Sequence, residues 1–249
     1  MTEKTYKENY KKNYLTRVIF EVKFPPILGL RSGDDLYVST FQKMIVDKFP
    51  YSEIKKGEEI TLNIPPSQIT GEREKITSWL FKDDAIPKKI VTLDYNKIVL
   101  LYNKEHYTTF SDFLETIELI FDALGEYPVR KVEYVGMRYI NQIDENKNLE
   151  DLIDEKLHIT SGFVDQDDIL KYMHSLVFKK EDYMINFNFG YPNPMPKKEF
   201  VLDYICSYKE STDIDDVSNI AKKMNKIIKE CFEKSILNGL REIMDKGGK

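Results

Sequence analysis

Two segments about half a chain apart alternate residue by residue, and this does most to limit what the chain can fold into. In "RVIFEVKF", Val18, Phe20, Val22 and Phe24 point one way and Arg17, Ile19, Glu21 and Lys23 the other. In "VEYVGMRYINQI", Val135, Met137 and Tyr139 oppose Gly136, Arg138 and Ile140. A period of two is that of a half-buried strand. After the first segment comes a helical period in "DDLYVSTFQKMIVDKFP" (Leu36, Phe41, Ile45, Phe49), with Asp34 or Asp35 as cap. Residues 51–74 are mixed and polar, and "NIPPSQITGERE" reads as a surface loop. Three strands follow, "KITSWLFKDD", "KKIVTLDY" and "KIVLLYN". Then comes the helix "TFSDFLETIELIFDALGEYP", with Ser111 as N-cap, an apolar face of Phe113, Ile117, Ile120, Phe121 and Leu124, and Gly125 at its end.

After the second segment the pattern recurs. A short helix "NLEDLIDE" precedes the strands "KYMHSLVFKK", "DYMINFNFGY" and "KEFVLDYICSY". A long helix then runs from about Asp215 to Met244, capped by Thr212 or Asp213. Strand, helix, three strands, helix thus occurs twice. The prediction is an α+β fold of two repeats, 15–127 and 128–249, behind a polar N-terminal segment, 1–14. They would form one curved antiparallel sheet with helices on one face, in the manner of a TATA-binding-protein-like or helix-grip-like duplication. Fold resemblance of that kind carries no function.

Strand parity places Arg138 on the open face of such a sheet, with Gly136 clearing space beside it. Asp203, in "FVLDYICSY", falls on the same face, because Phe200, Leu202, Tyr204 and Cys206 turn to the core. Overlaying the two halves puts Lys23 where Arg138 lies and Asp94 where Asp203 lies. These five residues form the candidate binding surface. Arg138 and Asp203 would make a fixed bidentate pair, or Arg138 would reach an anionic ligand or a partner's carboxylate. Solvated ion pairs worth little are the plainer reading, and the preferred one for Lys23 and Asp94. Asn141, at the core side of the strand end, is expected to tie down a loop.

The chain has 249 residues, a net charge of −5 and 32% charged residues. An acidic balance argues against a chain whose main task is gripping nucleic acid. The basic, tyrosine-bearing "KENYKKNY" could touch phosphates, but reads better as a solvated terminus. Cys206 and Cys231 lack CxxC spacing and are expected as reduced thiols. His106, His158 and His174 are scattered, so no zinc set is expected. "DQDD" and "DIDD" lack the glycine and distal glutamate of a calcium loop and read as caps and loops. No P-loop, GxGxxG or GxSxG pattern occurs. A general base and basic clamp for RNA cleavage are not evident. Trp79, Phe81, Tyr183, Phe187 and Phe189 would suit base stacking, but alternate as core residues do. With no apolar h-region at the start and no apolar run of bilayer length, the expectation is a cytoplasmic protein with no membrane partner. No cofactor is expected.

"VGMRYINQI", preceded by the "FSDFLETIELIFDAL" helix, resembles an uncharacterised, sporadically distributed prokaryotic family of about this length, marked by a "GxRYIN" motif. The likeness extends to "IFEVKFPP", "FQKMIVDKFP", "SWLF" with Trp79, the helix start at Tyr107 and Phe110, and an "LD" strand before a long helix bearing Phe232. The chain departs where the family often has a second acidic residue, here Ile205. That weakens any pair of carboxylates holding a metal. The resemblance implies no activity, and its patchy occurrence is of the kind seen in mobile or anti-phage defence genes. The function expected is non-catalytic: an interaction or adaptor protein using the open face. Ile19, Ile90, Val99, Leu101, Ile140 and Ile205 make that face apolar enough for a protein partner or a homodimer. The alternatives are a small-molecule binder with a helix-gripped cavity and a nucleic-acid-associated component of a larger complex.

Overall fold

The computed structural model describes residues 10–32, 35–63, 70–104, 107–144, 151–157, 171–192 and 199–247, with backbone only for 35–36, 58–63 and 70–76. In chain order the elements are β1 (Leu15–Lys23), α1 (Leu28–Arg31), α2 (Asp35–Ile45), β2 (Tyr51–Asn63), β3 (Thr70–Lys82), β4 (Lys89–Leu93), β5 (Lys97–Asn103) and α3 (Phe110–Gly125). There follow β6 (Lys131–Val132), β7 (Tyr134–Ile143), β8 (Tyr172–Lys180), β9 (Tyr183–Tyr191), β10 (Phe200–Tyr208), β11 (Thr212–Asp213), α4 (Val217–Ser235) and α5 (Asn238–Lys246).

Among the described residues nine strands form one antiparallel sheet in the order β2-β3-β4-β5-β1-β7-β10-β9-β8. The two alternating segments, β1 and β7, lie side by side at its centre, with Ile19 opposite Arg138. Each pairs on its outer side with the last strand of its own half, β5 for β1 and β10 for β7. The remaining strands run outward in reverse order.

The core lies on one face. Phe20 packs edge-on against Phe113 and Phe121 of α3. Tyr102 and Thr116 of α3 share a hydrogen bond of 2.7 Å, and Tyr204 donates to Ser235 of α4 at 2.8 Å. Phe41 of α2 meets Phe81. Trp79, Phe81, Tyr183, Phe187 and Phe189 are all buried on this side, so their alternation is that of core strands. The described helices pack there and leave the opposite face to Ile19, Ile90, Val99, Leu101, Ile140 and Ile205, all half-buried.

Several expectations are corrected. The polar stretch after α2 is a strand, so the first half has four strands after its helix. β2 pairs with β3 from Tyr51↔Lys82 to Asn63↔Thr70, and only 64–69 of the expected loop lies outside the described residues. Backbone pairing in a long hairpin holds a strand there without an alternating apolar face. Of "NLEDLIDE", residues 148–150 lie outside the described residues. The remainder is not an α-helix: Ile153 bridges to Ile236, and a 3-10 turn spans Glu155–Leu157.

The same bridge breaks the long C-terminal helix in two. Ile236 is extended, and Leu237 N–H donates to Leu152 O at 2.8 Å. Thr212 and Asp213 pair with Lys131 and Val132 instead of capping α4, which is led in by a 3-10 turn over Ile214–Asp216. Thr109, not Ser111, caps α3, accepting from Asp112 N–H. The end of the polar N-terminal segment is tied down. Tyr14 is buried, Lys12 N–H donates to Met244 O at 2.9 Å, and Tyr10 donates to Glu233 Oε1 at 2.6 Å. Residues 1–9, the acidic cluster at 165–168, His106 and His158 lie outside the described residues.

Both cysteines are free thiols. Burial pushes the Cys206 thiol up to about 12 and raises that of half-buried Cys231. The thiolate is the nucleophile, so iodoacetamide at pH 8 is expected to leave Cys206 unmodified in folded protein and to label it in urea, read by intact mass.

Candidate functional site

The open face carries a bidentate charged pair that links two neighbouring strands near the sheet centre. Arg138 projects from β7, and Asp203 lies diagonally across on the neighbouring β10, two residues from Ile205, which is opposite Arg138. Nε donates to Oδ1 and Nη2 to Oδ2, each at 2.8 Å. This is the fork-to-fork geometry that fixes both side chains. The partners differ in exposure: the Asp203 side chain is 8% exposed and that of Arg138 41%. The guanidinium thus covers the carboxylate and keeps its own outer edge in solvent. Hydrogen bonding to Asp203 is the main cause of the raised Arg138 pKa. Asn188 of β9 adds a weak donor to Oδ2 at 3.4 Å.

The other three candidates are placed differently. Gly136 does not clear space for Arg138. A Cβ there would run into the hydroxyl of Tyr134, whose ring lies over it. Lys23 stacks on that same ring at 5.3 Å and pairs with Glu21 at 3.5 Å. Asp94 is not the counterpart of Asp203. It lies in the β4–β5 turn and pairs with Lys97 at 3.2 Å. The strand that stands to β1 as β10 stands to β7 is β5, whose open-face residues are Lys97, Val99, Leu101 and Asn103. The first half therefore has no acidic residue at that place, and Lys23 and Asp94 form two separate ion pairs. Gly136→Ala is expected to cost about 1 kcal/mol in urea unfolding, because only the end of the Tyr134 side chain must swing aside.

Among the strand residues with described side chains the open face carries Arg17, Lys23, Lys55, Lys82, Lys97, Arg138 and Lys179 against Glu21, Glu53 and Asp203, with Asp94 and Glu199 just beyond strand ends. The β2–β3 register sets Glu59, Glu72 and Glu74 at open-face positions as well, so the two signs are close to balanced there.

The motif also has an inner side, which sequence reasoning missed. Tyr139 and Asn141 point to the helix face. Tyr107 and Tyr139 hydroxyls lie 2.9 Å apart, and Tyr139 donates to Asn225 Oδ1 of α4 at 2.8 Å. Burial pushes Tyr107 up to about 12 and Tyr139 well above its ordinary value. Asn141 Nδ2 donates to Leu202 O at 3.3 Å, tying strand to strand and no loop. Both residues line a cavity between β7, α3, α4 and the segment before β1. The one signal available was parity, which places Tyr139 and Asn141 together. The walls from Tyr10, Phe232 and Glu233 are too distant in sequence to be read.

No protein-family model matches the chain, and no curated protein is found to be similar to it. Among the described residues no cluster of His, Cys, Asp or Glu could hold a metal, and no helix is long and apolar enough to cross a membrane.

Proposed function

We propose that this protein is a non-catalytic interaction module whose bare sheet face takes an amphipathic segment of a partner protein. One observation carries the reading: an apolar centre of six half-buried aliphatic side chains, set among paired charges, on a sheet face that the described helices leave bare. Nine strands about 4.8 Å apart span about 40 Å. That is wide enough for the ~800 Å² per partner of a stable interface.

Magnitude favours protein over nucleic acid. Firm duplex binding uses about 6–10 phosphate contacts. Arg138, Lys23, Lys82 and Lys97 are already committed to carboxylates. Among the described residues of the four central strands the open face has a single aromatic ring, Tyr134, already covered by Lys23, where single strands stack on several. The mirrored order of strands about β1 and β7 supports a duplicated unit of the TATA-binding-protein-like or helix-grip kind. The "GxRYIN" resemblance would set the chain in a sporadic, defence-associated family; this too is a proposal.

The test is a photo-crosslinking residue at Ile140, compared with one at exposed Lys226 on the helix side, in the native host. A discrete protein adduct at Ile140 alone is expected. A self-adduct, a nuclease-sensitive adduct, or equal labelling at both positions overturns the reading.

A further inference from the structure

We infer that the cavity beside Asn141 is a binding site for a small neutral molecule carrying N–H donors, of the carboxamide or cyclic-amide class. It lies on the opposite side of the sheet from the proposed docking face and does not depend on it. The cavity measures about 110 Å³. A water takes about 10–15 Å³ on that measure, and an apolar cavity of about 150 Å³ holds benzene. The space therefore suits about half a dozen heavy atoms, with more of the ligand emerging at the mouth.

Two acceptors in its wall, on Asn141 and Tyr107, set the chemistry of the ligand. Asn141 is 5% exposed, and its orientation is fixed because Nδ2 donates to Leu202 O. Among the described residues no donor is bonded to its Oδ1, so this acceptor is open to a ligand N–H in place of water. The tyrosine chain adds a second acceptor. Tyr139 spends its proton on Asn225, so Tyr107 spends its own on Tyr139, and the Tyr107 oxygen is left as an acceptor at the cavity.

Charge narrows the class. The Glu233 carboxylate is 8% exposed and accepts from Tyr10 and from Arg241 Nε at 3.0 Å, so its charge is already matched. With Glu233 matched, nothing among the described residues of the wall calls for a cation, and the two acceptors disfavour an anion. Phe110 and Phe232 supply flat apolar walls for the body of the ligand.

Benzamide is the probe, with toluene and benzoate as controls, titrated by calorimetry against the full chain. Benzamide is expected to bind at least tenfold more tightly than either control. Asn141→Val is expected to weaken it about tenfold, as loss of one hydrogen bond does. Tyr107→Phe keeps the ring and the fold if the first variant does not fold, and is expected to weaken benzamide about fivefold without changing toluene. Phe232→Trp fills the space and is expected to abolish binding. Equal binding of benzamide and toluene, no binding of benzamide, or full benzamide binding by folded Phe232→Trp or Tyr107→Phe overturns the assignment.

Discussion

Arg138→Ala is expected to lower stability by about 2–3 kcal/mol and Asp203→Asn by about 1. The asymmetry follows from where each charge lies. Removing the arginine uncovers a carboxylate that is 8% exposed and leaves it only the weak Asn188 contact at 3.4 Å. Removing the carboxylate leaves a guanidinium that already reaches water. Breaking a fully buried pair costs about 3–5 kcal/mol, and the exposed edge of Arg138 reduces that figure. Arg138→Lys is expected to recover less than half of the loss, because an ammonium cannot make two parallel bonds. Urea midpoints at pH 7, with unchanged slope, measure all three. Equal losses from Arg138→Ala and Asp203→Asn would mean that the carboxylate gains nothing from being covered. The pair would then be an ordinary surface bridge, and the motif's arginine would be free to serve a partner directly.

Much of this face was legible in the sequence because strand parity is a local rule. Once Val135, Met137 and Tyr139 turn inward, Arg138 and Ile140 must turn outward, and the same rule placed Asp203. Comparing the two halves failed because "VTLDY" and "VLDY" look alike but occupy different strands. Asp94 lies in the turn after β4, whereas Asp203 lies within β10, whose counterpart is β5. Text similarity over four residues cannot settle which strand neighbours which. The strand β2 was illegible for another reason. Its sequence, "YSEIKKGEEITLN", shows no apolar side, and Ile54 is 48% exposed. Its order comes from the ladder with β3, a non-local term. The break at Ile236 was hidden likewise, since helical spacing continues through it until Leu152 and Ile153 compete for the backbone.

The two edges of the sheet differ in charge. β2 carries Glu53, Lys55, Lys56, Glu58 and Glu59, the kind of edge that resists pairing with another chain. β8 holds no charge from Met173 to Phe178. Pairing with another chain is thus disfavoured along the β2 edge and not along the β8 edge.

Tyr139→Phe is expected to destabilise the chain by about 2–3 kcal/mol, and Tyr107→Phe by less than about 1. The order of proton donation dictates this. Tyr139 is the middle of the chain, accepting from Tyr107 and donating to Asn225 Oδ1. Deleting its hydroxyl strands Asn225, which is buried on α4, and takes the acceptor from Tyr107. Deleting the Tyr107 hydroxyl removes one donor, while Tyr139 still serves Asn225. The double variant is therefore expected to lose no more than Tyr139→Phe alone, and the coupling energy of the cycle measures the Tyr107–Tyr139 bond. Strictly additive losses would mean that the two hydroxyls do not act on each other. Tyr107 would then have its own partner at the cavity, and the acceptor assigned to it there would be spoken for.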